Sequence, residues 1–257
     1  MNFHFIELAG TPRAVCILSG GLDSTCYAAL LAKDYDIYLI TFAYGQRAIR
    51  EIERARYFAK VLKAKDHKVV DISFMKSLYG GSNALTDSKQ RISRVFTPSL
   101  VVPVRNAVFV TIATAWAMSI GAKTVAYGAH LGDAGHYPDC RPAFVKAINR
   151  ALNLAESSAS RGRRKAVSII SPAMINLDKS ALLRAGHKML GDKTFRTWSC
   201  YSDGVLSGRE RIHCGRCESC INRKNAFISA QIKDRTRYAT EGGGRKGGKA
   251  QRDIYKR

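Results

Sequence analysis

Residues 13–18, Arg-Ala-Val-Cys-Ile-Leu, form an apolar run that stops at Ser19-Gly20-Gly21. A short apolar run bounded by such a turn reads as a strand buried on both faces, and strands of that kind belong to parallel sheets. The rest of the chain must then supply helices to cover the sheet, and its pattern does so. Residues 24–33 suit a helix rich in Ala and Leu, and 36–43 a second strand. Over 48–64, Ile49, Ile52, Ala55, Phe58, Ala59 and Leu62 recur at helical spacing. A strand over 67–72, a helix over 105–120, a strand over 123–128, a helix over 142–154, a strand over 166–170 and a helix over 178–190 continue the alternation. This order predicts an α/β fold, a doubly wound parallel sheet covered on both faces. Ligands of such sheets sit beyond the carboxyl ends of the strands. At 257 residues the chain lies between one and two domains and can bury a full core without staples. Residues 75–97 read as a polar, irregular, mobile loop, and the Gly-rich stretch 241–250 as disordered.

The first strand runs into Leu18-Ser19-Gly20-Gly21-Leu22-Asp23-Ser24-Thr25. Two glycines allow tight turns and close approach of a ligand. N–H groups at the start of a helix bind anions, and the hydroxyls of Ser19, Ser24 and Thr25 add donors. Asp23 is out of place at an anion site unless it holds Mg²⁺ or caps the helix. A Walker loop is excluded, because that loop ends in Gly-Lys-Ser/Thr. From the residues alone two readings stand: a phosphate cradle, or a plain strand–turn–helix corner with a Ser/Asp cap.

Four of the seven cysteines, Cys200, Cys214, Cys217 and Cys220, fall within one short stretch. Such clustering argues for a metal and against a disulfide framework. Four thiolates can close tetrahedrally around Zn²⁺, leaving no open position for catalysis, and a closed structural zinc site is the favoured reading. An iron–sulfur cluster, a C-x-x-C redox pair and unrelated buried cysteines are the alternatives. His213 reads as a neighbour of the cluster, and Cys16, Cys26 and Cys140 as core or loop residues.

The net charge of +22 favours polyanionic partners, nucleotides or nucleic acids among them. Part of that charge is concentrated in Arg161-Gly162-Arg163-Arg164-Lys165 and in the last residues of the chain. A solvated basic tail is the plain alternative. No stretch approaches the ~20 apolar residues of a membrane span, so no membrane partner is expected. The first residues, Met1-Asn2-Phe3-His4-Phe5-Ile6-Glu7, lack the pattern of a secretory signal, which makes a cytoplasmic location the default.

The Ser-Gly-Gly-Leu-Asp-Ser segment resembles the signature of the PP-loop ATP pyrophosphatases, enzymes that split ATP between the α and β phosphates and adenylate an oxygen. Together with the cysteine cluster it is similar to the 7-cyano-7-deazaguanine synthase family. Further segments match in order: Tyr44-Gly45-Gln46-Arg47, with Ala48 where the family pattern has His; Val102-Pro103-Val104-Arg105-Asn106; Gly128-Ala129-His130-Leu131-Gly132-Asp133; Tyr137-Pro138-Asp139-Cys140-Arg141; Asp178-Lys179-Ser180; and Thr197-Trp198-Ser199-Cys200-Tyr201. The resemblance covers about residues 13–230.

It implies ATP, Mg²⁺ and Zn²⁺ as cofactors, and 7-carboxy-7-deazaguanine and ammonia as substrates. The carboxylate would be adenylated and converted to an amide, then the amide oxygen adenylated and lost to leave a nitrile. Residues 18–25 would bind ATP and Mg²⁺, with Ser19, Asp23, Ser24 and Lys179 in catalysis. Phe42 and Gly128 would border the adenine or the deazaguanine. Arg105 would hold a phosphate or the carboxylate; Asn106 belongs to the same substrate set. Asp133 and Asp139 would grip the guanine-like edge, Tyr137 would stack on the ring, and Arg141 would pair with one of the acids. His130 and His136 read as solvated loop histidines. The implied organisation is an ATP-binding domain over 1–192, a zinc-binding helical subdomain over 193–235 and a disordered basic tail over 236–257. Residues 155–165 and the segment between Cys200 and Cys214 are longer than the family pattern. These departures keep open an acceptor amine on a protein or nucleic acid, and a homodimer is also open.

Overall fold

The computed structural model describes residues 10–79, 81–157 and 166–239. The basic cluster at 161–165 and the Gly-rich stretch at 241–250 lie outside them. In chain order the elements are β1 (Arg13–Ile17), α1 (Leu22–Leu31), β2 (Asp36–Ala43), α2 (Arg50–Val61), β3 (Asp66–Asp71), α3 (Met75–Tyr79), α4 (Arg105–Ser119), β4 (Thr124–Ala126), α5 (Pro142–Ser157), β5 (Ser168–Ile170), α6 (Lys179–Leu190), β6 (Val205–Ser207), β7 (Glu210–Ile212) and α7 (Glu218–Ser229).

The first five strands form one parallel sheet in the order β3-β2-β1-β4-β5. Successive side chains of a strand face opposite sides, and β1 shows how both sides are filled. Val15 faces a core with Ile40, Phe109, Val110 and Val125. Ala14 and Cys16 face the other core, with Leu39, Phe58, Leu182 and Leu183. Each fully buried leucine contributes about 2 kcal/mol. The chain builds outward from β1 to β3 and then crosses to β4 on the other side of β1. That reversal opens a crevice at the carboxyl ends of β1 and β4, the place where doubly wound sheets bind ligands.

Three expectations need correction. The loop over 75–97 is anchored, not mobile. It contains α3, and Asn83, Ala84, Leu85 and Thr86 are buried. The Arg47 guanidinium donates to the carbonyls of Ala84 and Gln90, and Ser93 O accepts from Glu218 N of α7. Polar composition hid these backbone anchors. Second, Pro98–Ser119 does reach the length and hydropathy of a membrane-crossing helix. It is not one straight helix, since Val104 adopts a left-handed conformation before α4 starts. The α4 residues Phe109, Val110, Ala113 and Ala117 are buried against the sheet, which accounts for their apolarity. Third, the tail read as disordered from residue 236 is ordered at its start, beside the antiparallel β6–β7 hairpin that the long segment between Cys200 and Cys214 forms. Residues 237–239, assigned to the tail from sequence, run beside His213: its N–H donates to Arg237 O and its carbonyl accepts from Ala239 N.

Candidate active site

The first turn of α1 begins at Gly21 with no side-chain cap, so the strand–turn–helix corner is not closed by Ser or Asp. The loop organises itself instead. Ser19 N donates to Ser24 Oγ at 3.2 Å, Gly21 N to Ser19 Oγ at 3.1 Å, and the two serine hydroxyls lie 2.9 Å apart. Gly20 has φ +81°, and a Cβ there would lie 2.3 Å from Glu51 O, so only glycine fits. A Cβ on Gly128 would lie 2.7 Å from Ser24 N, so the end of β4 also presses backbone against the loop. The result is a helix start with backbone N–H groups and hydroxyls gathered at a sheet switch point, the arrangement that binds phosphate.

Asp23 projects from this turn to Lys179 of α6, whose Nζ donates to it at 2.7 Å. Burial alone would raise the Asp23 carboxyl, but Lys179, with help from His130, holds it below the usual range. His130 is buried, which corrects its reading as a solvated loop residue. Its Nε2 stands 3.4 Å from Asp133 and 4.0 Å from Asp23. Asp133 caps the turn by accepting from His130 N, and burial raises its carboxyl. His136 is exposed and stacks on Phe96.

These residues border a cavity of about 230 Å³. Of the residues expected at the site, Ser19, Gly21, Leu22, Asp23, Ser24, Arg105, Asn106, Gly128, Asp133 and Tyr137 line it. Lys179 reaches it through Asp23. Leu18 and Thr25 are fully buried beneath the loop, and Gly20 is buried where the loop turns against α2. Phe42 is not on the wall: it is stacked at 4.3 Å on Phe109, which is. Asp139 accepts from Asn106 N at the start of α4 and does not line the cavity. Arg141 is exposed and bonds the carbonyl of Ala134, so it pairs with neither acid. Asp139 lies within the short turn over Pro138–Cys140 and Arg141 directly follows it.

Sequence reasoning missed most of the opposite wall: Tyr44, Glu51, Phe109, Tyr127, Trp198, Ser199 and Tyr201. The Arg105 guanidinium lies over the Tyr44 and Phe109 rings and makes one hydrogen bond among the described residues, to Tyr44 OH at 3.2 Å. A guanidinium has five N–H donors, so most remain available to an anion. Glu51 sits nearby, and burial pushes its carboxyl up to about 8 against the pull of Arg105. Ala48, where the resemblance leads one to expect His, is buried on the same wall.

Beside this wall lies the cysteine cluster. Cys200, Cys214, Cys217 and Cys220 are buried, unbridged, and bring their sulfurs within 4.8 Å of one another. Hydrogen bonding from the other three sulfurs holds the Cys214 thiol well below its ordinary range. Four buried thiols converging in this way suit a closed tetrahedral zinc site. His213 is a neighbour, as expected. Burial and Arg223 push it down to about 3, and its neutral Nε2 accepts from Ser199 N.

Comparison with known proteins agrees with this geometry. Residues 13–231 match the family described as queuosine biosynthesis protein QueC. A curated 7-cyano-7-deazaguanine synthase of Psychromonas ingrahamii is 40% identical over 232 residues, covering 88% of this chain and 97% of the relative. A protein of the same name from Caldicellulosiruptor saccharolyticus is 37% identical, covering 89% and 96%. One from Acaryochloris marina is 39% identical, covering 89% and 100%.

Proposed function

This chain belongs to the family of the queuosine biosynthesis protein QueC, and from that membership we propose that it is a 7-cyano-7-deazaguanine synthase working by ATP-dependent adenylation of 7-carboxy-7-deazaguanine. The observation that carries the reading is one cavity walled by an uncapped glycine-rich helix start on one side and by the largely unsatisfied Arg105 guanidinium on the other. The first suits a polyphosphate. The second suits a carboxylate, which accepts two parallel N–H bonds from a guanidinium.

The reaction divides between these walls. The substrate carboxylate oxygen attacks the α-phosphorus of ATP, and pyrophosphate leaves toward Ser19, Ser24 and the first-turn N–H groups. Lys179 is held by Asp23 and can exchange that partner for a phosphate oxygen. Mg²⁺, a hard cation that takes oxygen ligands, would be held at Asp23 and would offset the charge developing on pyrophosphate. Ammonia then attacks the acyl carbon, AMP departs, and the attacking nitrogen loses a proton to leave the amide. In the second round the amide oxygen is adenylated, and loss of AMP and protons from nitrogen leaves the nitrile. On this reading Tyr137, a wall residue, lies against the ring and Asp133 accepts its N–H donors; their presence in the cavity lining supports it. All three relatives carry the synthase name, so the acceptor proposed is ammonia and not an amine of a macromolecule. A reducing cytoplasm suits the unbridged zinc thiols.

Purified protein given the acid, ATP, Mg²⁺ and ammonium should form nitrile and AMP. Asp23→Ala and Ser24→Ala should each lower AMP formation by about 10²-fold or more, the scale for removing a group that stabilises transition-state charge. AMP formation at the wild-type rate in both variants would refute the loop assignment. Elemental analysis should find zinc and not iron.

A further inference from the structure

Arg223 lies outside the cavity, on α7, and is 1% exposed. Its five N–H donors are all engaged. Nη1 donates to Thr197 Oγ1 at 2.7 Å and Ser199 Oγ at 3.1 Å; Nε and Nη2 donate to Thr236 Oγ1 at 3.1 and 3.0 Å; Nη2 donates to Thr194 O at 3.4 Å. None of these partners is a carboxylate. Burying a cation without an ionic partner is expensive, so the position calls for compensation. The Asp234 carboxylate, which accepts from Thr236 N and Tyr238 OH, and Cys220, one helical turn away on α7, act on the guanidinium with opposite charge; closed around a zinc ion, the four thiolates would add a dianionic centre on that side.

The residues that Arg223 grips flank a contact with the phosphate loop. Between Thr197 and Ser199, Trp198 N donates to Gly20 O at 2.9 Å. A Cβ on Gly21 would lie 3.5 Å from Trp198 O, so this segment packs directly on the loop. Gly20 is therefore held from two sides, by α2 and by residue 198. The Trp198 ring packs on His213, its Nε1 donates to Cys200 O, and Cys200 is a thiol of the cluster. Residues 197–199 thus join three parts: the thiol cluster through Trp198 and Cys200, Arg223 through Thr197 and Ser199, and the phosphate loop through Trp198 N.

We infer that Arg223 is a positioning residue that seats residues 197–199 on the phosphate loop, so that the metal subdomain sets the loop's grip on ATP. The inference rests on the proposed ATP reading. It gives the metal site a part in the reaction without any direct contact with substrate: the cluster anchors Cys200 beside Trp198, and the arginine fixes the segment whose backbone shapes the loop.

The test is calorimetric titration of zinc-loaded protein with α,β-methylene-ATP, which cannot be split at the adenylating bond. Wild type, Arg223→Met, Arg223→Lys and Thr197→Val are compared, with zinc content measured on the same samples. Thr197→Val removes one acceptor from the guanidinium at a buried position outside the cavity wall. Removing a hydrogen bond to a charged group should weaken analogue binding about tenfold in Thr197→Val, and by more in Arg223→Met. Zinc should be retained, and KM for ATP should rise more than kcat falls. Arg223→Lys should lie between, since it keeps the charge but loses the fork. If Arg223→Met does not fold, Thr197→Val and Arg223→Lys decide. Wild-type analogue affinity in zinc-loaded Thr197→Val and Arg223→Lys overturns the inference and leaves the ATP reading standing. Failure of the wild type itself to bind the analogue overturns both.

Discussion

Glu51 illustrates what a single side chain does in this cleft. Its carboxyl faces Arg105 from the first turn of α2, and burial pushes it up to about 8. A carboxyl raised in the folded state contributes stability that is complete below its ordinary value of 4.5 and is lost as pH rises through about 8. Glu51→Gln should remove this dependence. Between those two pH values the wild-type melting temperature should fall relative to the variant, and thermal scans across the range will check it. A constant difference between the two proteins would show that Glu51 is solvated and ordinary. The residue is also instructive for what sequence could disclose. Asp23, Ser24 and Arg105 were legible because they sit in motifs whose chemistry is local. Glu51 was not, because its place on the wall depends on how α2 lies across Gly20. His130 failed for the same reason: a histidine in a polar loop reads as solvated until the fold brings Asp23 and Asp133 to either side of it. Asp139 and Arg141 failed in the opposite direction, since their motif is intact but their side chains bond backbone.

At the scale of elements, α1 and α6 pack so closely that a Cβ on Gly186 would lie 2.4 Å from Cys26 Sγ. This contact brings Lys179, at the start of α6, to Asp23 at the start of α1. Gly186→Ala must push the helices apart, and overpacking of this kind costs about 1–3 kcal/mol. Chemical denaturation should show that loss, and the Lys179–Asp23 pair should loosen with it, raising KM for ATP. Unchanged stability would mean that the helices slide at no cost. The alternation that announced β1 to β5 was legible because β1, β2 and β4 are apolar runs buried within the sheet, α2, α5 and α6 carry a periodic apolar face, and α1 and α4 are apolar almost throughout. The β6–β7 hairpin, α3 and the anchored segment at 83–86 were not. Their positions are set by distant backbone, as when Arg47 binds the carbonyl of Ala84, and such contacts leave no period in the sequence.

Across the whole molecule, a net charge of +22 acts in two opposed ways. Like charges repel one another and weaken the compact state, while on the proposed ATP reading the same field draws the polyanionic nucleotide toward the cleft. Local donors at the phosphate loop act over a hydrogen-bond length, but the field acts over the Debye length, about 10 Å at 0.1 M salt. Salt therefore separates the two effects. Raising NaCl from about 20 to about 200 mM should raise the melting temperature by relieving self-repulsion and should also raise KM for ATP by screening the attraction. Little change is expected in kcat, because the groups proposed to act in adenylation hold their charges at contact distances that salt does not screen. A KM that is flat over this range would mean that the loop and its neighbours Lys179 and Arg105 account for nucleotide capture alone. The excess charge would then have no part in ATP binding, and the basic surface would have to be explained by contact with some other polyanion.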